Sequence, residues 1–328
     1  MRIDSKFIQL IDRIQEGYKM TQQECEFLLS FDERSLEAAI TRGVADSMSR
    51  AKFNNKGLVF GQIGVEVAPC AGRCRFCSFS DEFTTFKASS LSNEELMAKA
   101  DNFCSSGELY AIALMVLHNT PFERTLNVVS QVRARIPAST QIMINMGDFS
   151  YSQAEELKMA GANGSYHVWR LGEGTDTIFT KEERFATIEN IKKAGLDLYY
   201  CCEPIGPEHT PAEMAEQIMK GVDYECFQHG AMRRVYVPHS SLAHRGIISE
   251  LRLAQITAVV TLVALHSPQI TSVGVHEPNK LGITSGANAI YAETGSNPRD
   301  TKQETAGSHG LTIEDCKQMY RECGFDIA

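Results

Sequence analysis

The sequence has little basic charge and no long apolar run. Its 32 lysines and arginines are outnumbered by 41 aspartates and glutamates, which gives a formal net charge of −9 at neutral pH. Because nucleic-acid surfaces need clustered Lys and Arg, this balance argues against a nucleic-acid partner. No window approaches the ~18 uncharged apolar residues of a membrane span, and the first residues lack the charged-then-apolar pattern of a signal peptide. We therefore expect a cytoplasmic protein without a membrane partner.

What the 328 residues do contain is an ordinary globular composition and ten cysteines. Hydrophobic residues make up 43% of the chain and charged residues 22%, which is typical of folded enzymes and binding proteins. In a reducing compartment, cysteines rarely form structural disulfides, and their patterns more often indicate metal binding or catalysis. The spacing of the cysteines therefore carries information about function.

Short β-type runs alternate with helical runs from Gly57 onward, after a helical opening in which Thr21 to Glu24 resembles a capping box. The strand candidates are Leu58–Val65, Tyr110–Val116, Gln141–Asn145, Gly164–Val168, Asp197–Cys202, Arg234–Val237, Ile270–Val275 and Ala289–Tyr291. The helix candidates are Asn93–Ser105, Glu123–Arg135, Ser152–Ala160, Lys181–Ala194, Pro211–Gly221, Glu250–Leu265, Asn279–Ser285 and Ile313–Cys323. Repeated β-then-α units fit a doubly wound sheet or a barrel, and a strand count near eight favours an α/β fold of the (β/α)8 TIM-like barrel type, complete or nearly so.

No linker divides the chain into independent domains. We predict an N-terminal helical extension over residues 1–56, the barrel over 57–292 and a C-terminal capping segment over 293–328. In such barrels the chemistry collects on the loops that follow the C-terminal ends of the strands. Residues just after each strand candidate are therefore the candidate site residues.

Three cysteines follow the first predicted strand within eight residues. Cys70, Cys74 and Cys77 have the spacing Cx3CxxC, and Phe76 directly precedes the third. Thiolates suit zinc and iron–sulfur clusters, but a structural zinc site needs four ligands and only one CxxC pair is present. The loop therefore predicts a [4Fe–4S] cluster with one iron left open for another ligand, and a zinc site is the alternative.

This cysteine loop after a first barrel strand resembles the signature of radical S-adenosylmethionine (radical SAM) enzymes. The helical opening, the βα alternation and the run Ser285–Ile290, similar to an Ala-Gly-Ala-Asn stretch near the barrel end, resemble the biotin-synthase-like branch. That branch includes biotin synthase, methylornithine synthase and a maturase of [FeFe]-hydrogenase. The enzyme proposed to build the guanylylpyridinol cofactor of [Fe]-hydrogenase is similar in architecture, although its archaeal members space the first two cysteines more widely.

The resemblance implies an enzyme that uses a [4Fe–4S] cluster and S-adenosylmethionine. In the family the three cysteines hold the cluster, and the open iron binds the amino and carboxylate groups of S-adenosylmethionine. Reductive cleavage then yields a 5′-deoxyadenosyl radical, which abstracts hydrogen from a small-molecule substrate. We expect a role in cofactor biosynthesis, with the [Fe]-hydrogenase cofactor as one candidate product, and a flavodoxin or ferredoxin as electron donor.

Polar residues after later strands are candidates for binding S-adenosylmethionine and for catalysis. Arg170 and Glu173 follow the fourth strand, where an arginine pairs with a carboxylate and a glutamate with an amine or ribose. Arg184 matches a Glu-Arg-hydrophobic position of biotin synthase, and a helix-surface charge is its alternative interpretation. Glu203 ends the fifth strand and His276 follows the seventh, so both are catalytic candidates. The predicted cofactor-binding set is Phe76, Arg170, Glu173, Arg184 and Glu203.

Other polar residues at strand ends give weaker signals. His118 stands where many radical SAM enzymes carry a Gly-Gly-Glu contact to the cofactor's amino group. Tyr236 and His239 follow the predicted sixth strand. Cys201 and Cys202 are adjacent in a strand, so their side chains should point to opposite faces and cannot easily share one metal.

Two alternative functions remain open. Biotin synthase inserts sulfur from a second cluster, which three barrel cysteines and an arginine hold. The matching positions near Ala113, Met143 and Tyr200 are not cysteine, and residues 272–274 lack the arginine. Sulfur insertion of the biotin- or lipoyl-synthase type is therefore disfavoured. A non-catalytic iron–sulfur assembly protein is the other alternative.

Overall fold

The computed structural model describes residues 3–328. Three helices precede the barrel, α1 (Ser5–Gln15), α2 (Gln22–Leu29) and α3 (Leu36–Lys52). The predicted capping box is present at the start of α2, where the Thr21 side chain accepts from the Glu24 backbone N–H and the Glu24 carboxylate accepts from the Thr21 N–H. These reciprocal bonds satisfy backbone donors that the first helical turn leaves free.

The strands of the described residues follow in chain order. They are β1 (Lys56–Gly64), β2 (Glu66–Val67), β3 (Ser89–Ser90), β4 (Ala111–Met115), β5 (Gln141–Asn145), β6 (Gly164–Tyr166), β7 (Asp197–Tyr199), β8 (Cys202–Ile205), β9 (Gln228–Arg233), β10 (Ser272–His276), β11 (Ala289–Thr294) and β12 (Asp326–Ile327).

Eight parallel strands close into a barrel. The hydrogen-bonded order runs β1, β4, β5, β6, β7, β9, β10 and β11, and β11 pairs back to β1. Closure leaves no free sheet edge and directs the carboxyl ends of all eight strands to one mouth. The predicted (β/α)8 TIM-like barrel is therefore confirmed.

Helices surround the barrel in the expected alternation. They are α4 (Asn93–Cys104), α5 (Phe122–Arg135), α6 (Tyr151–Met159), α7 (Lys181–Ala194), α8 (Pro211–Asp223), α9 (Glu250–Ala264), α10 (Lys280–Ile283) and α11 (Ile313–Glu322). Helix α9 is buried all round from Leu253 onward because α2 and α3 cover the face turned away from the barrel. None of the helices within residues 3–328 has the length and apolarity needed to cross a bilayer.

The sixth barrel strand lies earlier in the chain than predicted. The sequence suggested Arg234–Val237, whereas β9 ends at Arg233 and Tyr236 is 57% exposed in the following loop. The true strand carries a buried polar side chain, Gln228, which accepts a hydrogen bond from the Tyr291 hydroxyl at 2.7 Å. Because Gln228 has a hydrogen-bond partner, it can be buried in the barrel, but its polar side chain interrupts the apolar run by which a strand is recognised in a sequence. The predicted position of the sixth strand was therefore wrong.

The fifth barrel strand is irregular near its end. β7 and β8 both pair with β9, in one register from Tyr199 to Cys202, and the register shifts within β8 between Cys202 and Ile205. The strand therefore continues beyond its predicted end at Cys202 and places Glu203 within β8, with its side chain buried. An irregularity of this kind redirects side chains near a barrel mouth.

The segment of residues 295–310 lies at the mouth of the barrel. It follows β11, and its Pro298 carbonyl accepts a hydrogen bond from the Ser78 backbone N–H at 2.8 Å. After this segment, α11 packs against β11 and β1, and β12 pairs with the first residues of β1. The C-terminal residues thus contact both ends of the first strand.

Candidate functional site

A cavity opens at the carboxyl ends of the barrel strands. It encloses about 1110 Å³ of empty space, its open mouth included. All the predicted metal-ligating, cofactor-binding and catalytic residues except Glu173 lie on its wall, namely Cys70, Cys74, Phe76, Cys77, Arg170, Arg184, Glu203 and His276.

The cysteine loop is held by neighbouring loops of the mouth. Its backbone N–H groups donate to Asn119 Oδ1 at 3.1 Å, to the Asp176 carbonyl at 2.9 Å and to the Pro298 carbonyl at 2.8 Å. These partners follow β4, β6 and β11, so the loop is tied across the mouth. Asn119, the residue after His118, thus supports the cysteine loop itself.

The three cysteines of the loop are half-buried and lie close to one another. Burial raises the pKa of Cys74 to about 11 and that of Cys77 well above its ordinary value, and the neighbouring cysteines add to the shift of Cys77. The Phe79 backbone N–H donates to Cys77 Sγ at 3.4 Å, a bond that favours a thiolate over a thiol. None of the ten cysteines is in a disulfide.

The donor set fits an iron–sulfur cluster better than a single ion. Within residues 3–328, no three His, Cys, Asp or Glu side chains converge on one position that would hold a single metal ion. A structural zinc ion needs such convergence of four ligands, whereas in a cluster each thiolate binds its own iron. Three soft donors on one cavity wall therefore fit the group that the cysteine spacing predicts.

Glu203 is the centre of a buried polar group at the end of β8. Its Oε1 accepts a hydrogen bond from Arg170 Nε at 2.7 Å, and its Oε2 accepts one from the Tyr166 hydroxyl at 2.5 Å. Burial lowers the pKa of the Arg170 guanidinium, but the carboxylates of Glu203 and Glu173 outweigh it and raise that pKa above its ordinary range. Arg170 is therefore a fixed cation on the cavity wall.

Glu173 lies behind this wall. Its carboxylate accepts hydrogen bonds from the Arg170 backbone N–H at 2.9 Å and from the Thr177 hydroxyl at 2.7 Å. The Nε of Arg184 lies 3.5 Å from the same carboxylate. Glu173 thus orients the two arginines and does not itself reach the cavity.

Arg184 is buried, which excludes its interpretation as a helix-surface charge. Its Nη1 donates to Asp148 Oδ2 at 2.8 Å, and its guanidinium lies 3.8 Å above the centre of the Phe179 ring. Asp148 Oδ1 also accepts from the Thr187 hydroxyl at 2.9 Å and lies 3.0 Å from His167 Nε2. Burial would raise the pKa of Asp148, but His167 and Arg184 hold it well below its ordinary value.

His276 lies in the cavity wall at the end of β10. Its ring is 8% exposed, and its centre lies 4.6 Å from that of the Tyr291 ring. Burial, and then the nearby cation of Arg299, lower its pKa to about 3. His276 is therefore a neutral imidazole at physiological pH, with one ring nitrogen that can donate a hydrogen bond and one that can accept one.

The weaker sequence signals divide into two groups. His118 lies on the cavity wall, with its ring 4.7 Å from that of Phe179. Tyr236 and His239 do not line the cavity, because the strand that would present them ends earlier. Cys201 and Cys202 are both fully buried.

The sequence analysis did not identify several residues of the site. Asp148 and Arg299 each come shortly after the end of a barrel strand, β5 and β11, so the rule that inspects strand ends would have found both. Asn297 lies in the Gly- and Asn-rich segment that was interpreted only as a cap. Tyr166 occupies the last position of β6, within a run that otherwise signals only a strand.

No family model matches the sequence. The chain is 22% identical over 342 residues to the biotin synthase of Carboxydothermus hydrogenoformans, a match that covers 98% of this chain and 99% of that protein. The crystal structure of methylornithine synthase is similar with a TM-score of 0.80 at 16% identity, over 97% of each chain. The [FeFe]-hydrogenase maturase HydG from Carboxydothermus hydrogenoformans has a TM-score of 0.78 at 14% identity, over 98% of this chain and 78% of that chain. The two structural likenesses concern the fold.

Proposed function

We propose that the chain is a radical SAM enzyme of the biotin-synthase-like branch, in which Cys70, Cys74 and Cys77 would hold a [4Fe–4S] cluster. When bound and reduced, the cluster would supply the electron for cleaving S-adenosylmethionine to methionine and a 5′-deoxyadenosyl radical, the species that abstracts hydrogen from a small-molecule substrate. The observation that carries this proposal is the position of the three thiols on the wall of one cavity, beside Arg170 and the buried Arg184.

Arg170 and Arg184 are the groups proposed to bind the carboxylate of S-adenosylmethionine. Both lie close enough to Cys74 to influence the pKa of its thiol. Both are oriented by carboxylates, Arg170 by Glu203 and Arg184 by Asp148, so they need little rearrangement when an anionic ligand arrives. Phe76 offers an apolar ring on the same wall, and Glu173 acts as a positioning residue behind the arginines.

Glu203 and His276 have different proposed roles. The Glu203 carboxylate is already held by Arg170 and Tyr166, so it suits hydrogen bonding to a ribose hydroxyl or an amine better than taking a proton. His276 lies on the cavity wall as a neutral imidazole, and its lowered pKa makes it a weak base, so it suits hydrogen bonding to the substrate better than taking a proton.

Hydrogen abstraction is favoured over sulfur insertion by the composition of the cavity wall. Within residues 3–328, the cysteines on this wall are Cys70, Cys74 and Cys77, all assigned to one cluster. The barrel position Met143 contributes a thioether there, which is a poor ligand for a second cluster. The proposed role is therefore radical chemistry on a small molecule in cofactor biosynthesis, with a flavodoxin or ferredoxin as reductant.

The experiment that tests this function is reductive cleavage of S-adenosylmethionine. The protein is reconstituted anaerobically with iron and sulfide, reduced with dithionite and assayed for 5′-deoxyadenosine. We expect product from the wild type and from Cys104→Ala, a matched change at a half-buried cysteine outside the cavity. Cys74→Ala should lose both the cluster spectrum and the product, because a three-cysteine site has no spare ligand.

Two results would overturn the proposal. One is an intact cluster in the wild type with no 5′-deoxyadenosine, which would favour an assembly or carrier protein. The other is a colourless protein that binds zinc without labile sulfide. An iron content of about four per chain fits one cluster, whereas a clearly higher content would favour the sulfur-inserting alternative.

A further inference from the structure

Arg299 has an unpaired nitrogen at the wall of the cavity. It lies in the segment at the barrel mouth, where its Nη2 donates to Glu293 Oε1 at 2.8 Å. Its Nη1 is buried and has no hydrogen-bond partner in the part of the chain that the structure describes. A guanidinium nitrogen that loses water without gaining a partner is costly, so such a position calls for a ligand or a bound water.

Asn297 adds a second donor on the same wall. The residue is 1% exposed, and its Oδ1 accepts a hydrogen bond from the Arg299 backbone N–H at 3.0 Å. Its Nδ2 lies beside the Glu293 carboxyl without a hydrogen bond of acceptable geometry. Guanidinium and amide nitrogens only donate, so the missing partner is an acceptor oxygen.

Arg299 is separated from the arginines assigned to S-adenosylmethionine. The Arg170 guanidinium lies 6.0 Å from the centre of the Phe76 ring in the cysteine loop, whereas Arg299 pairs with Glu293 in β11. The cavity thus has two cations on its cysteine side and a third on the side of β10 and β11. The third cation is available to a different molecule.

The groups around this third cation favour a carbon skeleton that ends in a carboxylate. The same cavity is lined by Met143, Met232 and Tyr291, which offer apolar contact. Of the acidic groups near it, Glu277 accepts from Arg233 Nε at 2.6 Å, whereas Asp300 accepts through Oδ1 alone, from the His309 backbone N–H at 3.3 Å. A carboxylate is the acceptor that forms the strongest hydrogen bonds with a guanidinium.

We propose that Arg299 and Asn297 bind a carboxylate of the small organic substrate, with its carbon skeleton against Met143, Met232 and Tyr291. This inference rests on the proposed function, since it assigns the cysteine side of the cavity to S-adenosylmethionine. It names carboxylic acids as the substrate class and Arg299 as the residue that selects them.

The test compares a carboxylate with its neutral isostere. Binding of benzoate and benzamide to the anaerobic, reconstituted protein is measured by ligand-observed NMR, and binding of S-adenosylmethionine by equilibrium dialysis. We expect the wild type to prefer benzoate by about tenfold or more, as a guanidinium prefers an anion to a neutral amide. Arg299→Met should abolish this preference and leave binding of S-adenosylmethionine unchanged.

Two further variants control the result. Arg299→Lys keeps the charge and should retain part of the preference for benzoate. This variant also keeps the test decisive should Arg299→Met fold poorly. Arg135→Met removes an arginine that pairs with Asp101 on the surface and should leave both ligands unaffected.

The outcomes separate this inference from the function on which it rests. Equal binding of benzoate and benzamide to the wild type, or an unchanged preference in Arg299→Met, would overturn the carboxylate site. The second result would point to a water that joins Arg299 to Asp300, whose Oδ2 is also buried without a partner within residues 3–328. Weaker binding of S-adenosylmethionine to Arg299→Met, with binding of benzoate unaffected, would reassign Arg299 to the cofactor. Failure of the wild type to bind S-adenosylmethionine at all would instead contradict the proposed function.

Discussion

The two sides of the barrel mouth are built differently. On the side of β5, β6 and β8, the carboxylates of Asp148 and Glu203 each contact two or three side-chain donors, which fix the arginines beside the cysteine loop. On the side of β10 and β11, Arg299 and Asn297 keep buried donors without partners in the described residues. The first side is organised before any ligand arrives, as suits a cofactor that is the same in every turnover. The second side is completed by the molecule that binds there.

The largest expected loss of stability comes from removing the Glu203 carboxylate, on the side of β5, β6 and β8, which we call the organised side. In Glu203→Ala, Arg170 keeps its charge in a buried position but loses its partner, and the Tyr166 hydroxyl loses its acceptor. Removing one partner of a buried ion pair costs about 4 kcal/mol of unfolding free energy. Urea denaturation followed by circular dichroism measures this loss. Glu203→Gln keeps the acceptor oxygen and should lose less, and equal losses in both variants would contradict the ion-pair account.

A smaller effect is expected at Asp148. Asp148→Asn removes the charge that Arg184, His167 and Thr187 share, which should lower the unfolding free energy by about 2 kcal/mol. Asp101→Asn is the matched control, because Asp101 pairs with an arginine on the surface, where the gain from pairing is small. If both variants unfold at the same urea concentration, the organised side contributes no more than a surface ion pair.

The same variant has a pH signature. The pKa of Asp148 is held below its ordinary value in the folded protein, so the unfolded chain takes up a proton first as the pH falls. The stability that Asp148 provides is therefore complete at neutral pH and is lost as the pH falls below about 4. Asp148→Asn should flatten this part of the stability profile, and an unchanged acid slope would contradict the assignment of the low pKa.

How far the sequence predicts the molecule also differs between the two sides. Apolar periodicity and caps located most elements within a few residues, and the strand-end rule found Arg170 and Glu203 on the organised side. The polar strand β9 was misplaced because Gln228 is buried with a partner on another strand, which only the closed barrel supplies. Arg299 comes five residues after the end of β11, within reach of the strand-end rule, but only the structure shows that its side chain pairs with Glu293 and lies on the cavity wall. A buried polar residue such as Gln228, whose partner lies on another strand, has no local signal.

The central claim is that the three-cysteine loop holds a cluster whose open iron binds S-adenosylmethionine. The most direct measurement is the electron paramagnetic resonance spectrum of the reduced, reconstituted protein before and after addition of S-adenosylmethionine. We predict a [4Fe–4S] signal that changes on addition in the wild type and in Cys104→Ala, and no such signal in Cys74→Ala. A wild-type cluster signal that stays unchanged at saturating S-adenosylmethionine would contradict the account.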